Sequence, residues 1–331
     1  MPRLDLIWLS LVVLTLLLVQ AEPSHAAGSV CPAGMVAIPG GSFRIGAAGQ
    51  LGDERSASSV RLTPFCLGAH EITNQEFAAF VTATGYRTLA EQPLSSAQFP
   101  DLAPAERKPG SLVFEPVPGE GPMEELSWWH WVPGADWRHP SGPGSSIKGQ
   151  GDHPVVQIAF VDAEAYAAWA GAALPSEAQW EFAARGGLRD QVFSWGNTWK
   201  PGQANTWQGE FPHRDSGDDG FAGTAPVGSY PPNGYGLFDM TGNVWEWTAD
   251  WYRPGHDGLP ARPDPAIDRE AESIDPRDPG VAKHVIKGGS FLCSPTYCSR
   301  YRPAAREAQS PDTGTSHIGF RLASPLLSTH G

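Results

Sequence analysis

Cys293 and Cys298 stand five residues apart in the segment Gly288-Gly289-Ser290-Phe291-Leu292-Cys293-Ser294-Pro295-Thr296-Tyr297-Cys298. That separation lets both sulfurs converge on one point, and a pair of soft thiolates suits Cu(I). On spacing alone an ordinary disulfide is the favoured reading in an exported chain of four cysteines, with copper or zinc binding as the alternatives. Zinc would need two further ligands, and no His or Cys pair at finger-like spacing stands nearby. His284 and His317 stand alone, the usual pattern of a hydrogen-bonded surface or core histidine.

A second chemistry is suggested by the stretch from Asn205 to Trp251, which is dense in Asn, Asp, Gly and aromatic residues. Carboxylates, amides and backbone carbonyls in a glycine-rich irregular loop supply the oxygen ligands that calcium prefers. Taken singly, Ser290 reads as a turn hydroxyl, Trp245 as a core aromatic and Tyr297 as strand packing, with roles beside the cysteines as the alternative.

These residues need a scaffold, and the sequence predicts one of short elements. Met35 to Phe43 alternates apolar and small residues up to a glycine-rich turn, a strand and hairpin signal. Thr73 or Asn74 caps a helix through Phe77, Phe80 and Val81 to Gly85. A second helix follows Asp162, from Ala163 to Ala170, with Tyr166 and Trp169 on one face. Ser176 precedes a third, ending at Gly186-Gly187. Residues 86 to 153 are rich in Pro, Gly and Ser, yet carry Trp128, Trp129, Trp131 and Trp137, so an ordered excursion is expected. Strand-like alternation returns from His284 to Leu322, and no fixed-period repeat is present.

At 331 residues with 40% hydrophobic content the chain can bury a sizeable core, while 38 Gly, 32 Pro and 13 Trp point to many turns with aromatic burial between them. A formal net charge of -13 argues against a nucleic-acid partner and is compatible with bound cations. Arg3, the apolar run Leu6 to Val19 and Ser24-His25-Ala26 read as a signal peptide over residues 1-27, too short to span a membrane stably, so the domain at 28-331 is expected to be exported.

Gly85-Tyr86, Asp136-Trp137-Arg138-His139-Pro140, Asp152-His153-Pro154-Val155, Leu174 to Glu181, Phe193 to Asn197, Asn205 to Trp251 and Gly288 to Arg306 together resemble the formylglycine-generating enzymes, or sulfatase-modifying factors. The resemblance covers roughly residues 33 to 323. The wider superfamily shares the Gly-Gly-Ser-Phe and Gly-Phe-Arg elements without the cysteine pair, so Cys293 and Cys298 are the diagnostic feature. The resemblance implies one irregular α+β domain, related to the C-type lectin fold and low in regular secondary structure. It implies an oxidase that uses Cu(I) on Cys293 and Cys298, with molecular oxygen, to convert a cysteine of an unfolded sulfatase polypeptide into formylglycine within a Cys-x-Pro-x-Arg segment. Ser290 and Trp245 match the family's oxygen pocket, and Tyr297 also falls at a matching position. Two calcium sites are implied as well. One falls on Asn205, Thr206, Asp219 and Phe221, the other on Asp239, Gly242, Val244 and Glu246, with Thr206, Phe221, Gly242 and Val244 offering main-chain oxygens only.

The chain also departs from the pattern. Structural cysteines of the animal enzymes are replaced by Ala167, Ala184, Pro303 and Leu322, and Asp239 stands in place of their Asn. Ser294-Pro295 occupies positions where relatives often have His and a polar residue, which bears on copper delivery. Cys31 and Cys66 have no family counterpart, and a private disulfide between them is expected. The competing reading is an exported lectin-like binding module in which Cys293 and Cys298 form a static disulfide. An ergothioneine-type sulfoxide synthase is disfavoured because no His-x3-His-x-Glu pattern occurs.

Overall fold

Three capped helices anchor the chain in the computed structural model, which describes residues 29–47, 51–55, 59–97, 99–119, 126–256 and 258–328. The signal peptide expected at 1-27 lies outside the described residues. Helix α1 (Asn74–Thr84) starts at Thr73, whose hydroxyl accepts the Glu76 amide at 3.2 Å while the Glu76 carboxylate accepts the Thr73 amide at 2.8 Å. Each side chain thereby satisfies an amide that the helix leaves open. Gly85, at φ 69°, ends α1 in the left-handed conformation that glycine adopts without strain.

Helix α2 (Phe160–Trp169) begins three residues before the expected start. Asp162 lies inside its first turn and reaches back to accept the Ala159 amide at 3.0 Å, so it caps from within. Tyr166 is buried, whereas Trp169 remains 45% exposed. Helix α3 (Glu177–Ala184) is capped by Ser176, which exchanges hydrogen bonds with Gln179. It ends two residues before Gly186 and Gly187, both at positive φ.

Met35–Ile38 and Gly41–Arg44 do not form the expected hairpin with each other. They pair in succession with Phe65–Gly68 and Ser59–Leu62 of one returning segment. Gly40 explains the arrangement: at φ 67° it bends the chain without reversing it, and a Cβ there would lie 2.6 Å from the Leu62 carbonyl. The Cys31–Cys66 disulfide, closing 35 residues, ties this unit to the chain before it. Ala323–Pro325 completes a three-stranded sheet on the other edge of Phe65–Gly68.

A four-stranded sheet carries the chemistry, in the order Glu307–Gln309, His284–Lys287, Trp245–Trp251, Ile318–Gly319. Phe77, Trp137, Tyr166 and Phe320 pack behind it with ring centroids 5.2 to 6.4 Å apart. Edge-to-face geometry in this cluster adds to the burial of large apolar surfaces. Glu246, between Trp245 and Trp247, is buried and gripped by Arg321 at 2.6 and 2.7 Å, and it accepts the Trp180 indole N–H at 2.8 Å. Removing either charge would strand the other in the core, a loss of about 3 to 5 kcal/mol.

The excursion at 86 to 153 is ordered where described, and holds the hairpin Gly110–Phe114 with Trp129–Pro133. The longest strand in the described residues has seven residues and the longest helix eleven, so the α+β class and the low regular content agree with the sequence reading. Among the described residues no helix is long and apolar enough to cross a membrane.

Candidate active site

The loop after His284–Lys287 folds back on itself, and glycine is required where it does so. Gly289 sits at φ 72°, and a Cβ there would come within 2.8 Å of the Tyr301 backbone. The bend presents Ser290 to Cys293. The Ser290 amide approaches the Cys293 sulfur at 3.5 Å, the Cys293 amide donates to the Ser290 carbonyl at 2.9 Å, and the Ser290 hydroxyl accepts the Leu292 amide at 3.2 Å. Trp207 donates its amide to the Cys293 carbonyl at 3.0 Å, fixing the loop from the far side.

Both sulfurs are free thiols, Cys293 buried and Cys298 partly so. The disulfide that spacing favoured is therefore not the arrangement here. Burial pushes the Cys293 thiol well up, and the neighbouring Cys298 raises it further. Cys298 is shifted down, first by the hydrogen bond from Cys293, then by the Arg300 amide and guanidinium. The pair thus gives up its first proton more readily from Cys298 than from Cys293, and two sulfurs on one loop are a donor set suited to a soft metal ion.

Ser290, Trp245, Tyr297 and both cysteines line one cleft of about 670 Å³. Trp245 is buried in its strand, with its amide donated to the His317 carbonyl at 2.9 Å. Tyr297 belongs to an aromatic wall: its ring stacks on Phe211 at 4.1 Å and meets Trp128 edge-on at 5.1 Å. Another part of the lining is charged. Arg300 bonds Asp53 at 2.9 Å and Glu307 at 3.1 Å, and Arg277 joins Glu307 to Asp275. Arg300, only two residues from Cys298, was within reach of a sequence reading, whereas Glu307 comes to the cleft through its strand's pairing with His284–Lys287 and Asp275 through its ion pairs with Arg277 and Lys283.

His317, which stands alone in the sequence with no spacing that ties it to the cysteines, also lines this cleft. Burial pushes its imidazole down to about 3, so the ring is neutral at physiological pH.

In the first set of oxygen donors, the Asp219 carboxylate accepts the Thr206 amide at 2.8 Å and the Phe221 amide at 3.3 Å, while the amide oxygen of Asn205 is buried without a partner. An orphaned buried oxygen on Asn205, next in sequence to the Thr206 amide that Asp219 holds, fits a hard cation. In the second set, Asp239 accepts the Gly228 amide at 2.7 Å, and Glu246 is already committed to Arg321. The sequence reading missed Glu71, buried nearby with one carboxylate oxygen unpartnered and its pKa raised by burial and by Asp239 and Glu246. That surplus of buried negative charge also fits a cation.

A separate buried group of Glu177, Glu181 and His256 has ligand-like spacing. Lys287, Arg185 and Arg306 already ion-pair with its carboxylates, which makes it a structural charge network.

Residues 20–326 match the family model described as "Sulfatase-modifying factor enzyme 1-like domain". The chain belongs to this sulfatase-modifying factor family. It is 49% identical over 297 residues to the "Formylglycine-generating enzyme" of Mycobacterium tuberculosis, an alignment covering 88% of this chain and 98% of that protein. A mouse relative named "Inactive C-alpha-formylglycine-generating enzyme 2" is 41% identical over 294 residues, covering 88% and 85%. Among solved structures, PvdO from Pseudomonas aeruginosa matches with a TM-score of 0.59 at 26% identity over 88% of this chain and 94% of that one. Because the family includes a relative named as inactive, the site rather than the fold must carry the argument for catalysis.

Proposed function

We propose that this chain is a formylglycine-generating oxidase, converting a cysteine of a sulfatase polypeptide into the aldehyde-bearing residue. The observation that carries this reading is the free, hydrogen-bonded thiol pair Cys293 and Cys298 at a substrate-sized cleft. A relative that bears the enzyme's name, 49% identical over 98% of its length, supports the same reaction.

Cys293 and Cys298 would hold Cu(I) through their sulfurs, releasing their protons. When bound, the copper supplies the redox chemistry with dioxygen that oxidises the substrate cysteine. The protein's own residues do the rest. The Ser290 amide orients the Cys293 sulfur, and the Arg300 guanidinium favours the thiolate of Cys298. Buried Trp245 and the Ser290 loop limit water beside the sulfurs, and the wall of Trp128, Phe211 and Tyr297 covers the apolar part of a bound peptide. The charged wall carries Asp275 and Glu307, whose ion pairs with Arg277, Lys283 and Arg300 a basic residue such as the arginine of Cys-x-Pro-x-Arg would have to join or exchange.

Calcium is proposed for the two oxygen-donor sets, as structural ions at Asn205, Thr206, Asp219 and Phe221 and at Asp239, Gly242, Val244 and Glu246, the unpartnered Glu71 oxygen adding a free donor to the second because Arg321 and Trp180 already hold the Glu246 carboxylate. Export to an oxidising compartment is proposed from the expected leader and is supported by the Cys31–Cys66 disulfide. Incubating the protein with Cu(I), reductant, oxygen and a Cys-x-Pro-x-Arg peptide tests the function. Mass spectrometry should find the cysteine converted to an aldehyde; an unchanged peptide at saturating copper and oxygen would favour a binding module.

A further inference from the structure

His317 is fixed on every side except one. Its carbonyl accepts the Trp245 amide at 2.9 Å, its Nδ1 lies 2.9 Å from the Thr315 hydroxyl, and its ring packs on Trp129 with centroids 4.7 Å apart. The remaining polar atom, Nε2, has no hydrogen-bond partner among the described residues, and the ring lines the same cleft as Ser290, Cys293 and Cys298. The charged groups that line that cleft, Asp275, Arg277, Asp278, Lys283, Arg300 and Glu307, are already in ion pairs with one another. A neutral imidazole held in one orientation matches a single amide group of a peptide better than a charged side chain.

We propose that His317 is a substrate-positioning residue, its Nε2 forming a hydrogen bond with the main chain of the peptide beside the cysteine to be oxidised. Whichever tautomer Thr315 selects, Nε2 offers one donor or one acceptor, and an amide supplies the complement. The proposal rests on the reading of the cleft as the peptide site. It assigns His317 to binding rather than to metal ligation or proton transfer.

The test compares binding of a fluorescein-labelled Cys-x-Pro-x-Arg peptide to the metal-free full chain by anisotropy, for wild type, His317→Leu and His317→Gln. Leucine retains the packing on Trp129 and removes the polar atom, while glutamine restores one. One hydrogen bond of ordinary strength predicts about tenfold weaker binding for His317→Leu and recovery to within about threefold for His317→Gln. The single-turnover rate at saturating peptide should change less than about twofold in either variant. Unchanged peptide affinity in His317→Leu overturns the proposal. So does equal weakening in both variants with a shifted tryptophan emission, which would mark a structural role. If wild type binds the peptide without converting it, the oxidase reading fails and His317 is still judged by the affinities. If wild type does not bind the peptide, both fail.

Discussion

Ser290 and Cys293 close a reciprocal turn: the Cys293 amide donates to the Ser290 carbonyl at 2.9 Å, and the Ser290 amide approaches the Cys293 sulfur at 3.5 Å. A serine hydroxyl at position 293 can accept the same amide, so Cys293→Ser keeps the turn and loses only the soft ligand. Cys293→Ser and Cys298→Ser should each lower peptide conversion by at least about 100-fold, with unfolding free energies within about 2 kcal/mol of wild type. Mass spectrometry of the peptide and urea denaturation check the two halves. Normal turnover by either variant would contradict the thiolate site.

The two thiols should differ in reactivity. Cys298 is partly exposed and shifted toward the thiolate, whereas Cys293 is 1% exposed and shifted the other way. Brief iodoacetamide treatment of the metal-free protein followed by peptide mapping should label Cys298 first, at a rate that titrates below the ordinary thiol value of about 8.5. Faster labelling of Cys293 would contradict this order of deprotonation.

The capped helices and the cysteine pair were legible in the sequence because their signals are local. Thr73 with Glu76 and Ser176 with Gln179 carry the capping spacing, and Cys293 with Cys298 carries its own. Pairing partners were not legible. The Gly40-Gly41 turn looks like a reversal until the returning segment Ser59 to Gly68 is seen to run past both of its flanking strands. His317 and Glu71 were missed for the same reason: each reaches its site through tertiary packing from a different part of the chain, with no spacing to announce it. Asp162 shows a local signal misplaced by three residues, since an acidic residue can cap from the first turn as well as from before it.

The Cys31–Cys66 disulfide closes 35 residues away from the described cleft. Replacing both cysteines by alanine should lower stability by about 3 to 4 kcal/mol in the chain-entropy model and leave peptide conversion at 25 °C unchanged. A denaturant midpoint equal to that of the oxidised wild type would contradict this.

Burial pushes the Asp162 carboxyl up to about 6, although the amides of Leu89 and Ala159 and the Tyr86 hydroxyl all donate to it. The unfolded chain ionises this group first, near 3.9. Between about pH 4 and pH 6 the native state therefore holds the extra proton, and stability from this group falls as pH rises through the window, with a total of order 3 kcal/mol. Asp162→Asn should flatten the pH dependence of unfolding free energy across that range, whatever its effect on absolute stability. An unaltered slope would contradict the assignment.

The central claim, that the free thiol pair makes this chain an oxidase, is tested most directly by a side-by-side peptide assay. Wild type and Cys298→Ser would be given equal Cu(I), reductant, oxygen and Cys-x-Pro-x-Arg peptide, with aldehyde formation followed by mass spectrometry and copper retention measured in the same samples. Copper retention and peptide conversion are expected of wild type, with both lost in the variant. Conversion persisting in Cys298→Ser, or wild type that retains copper on both thiols and leaves the peptide untouched, would contradict it.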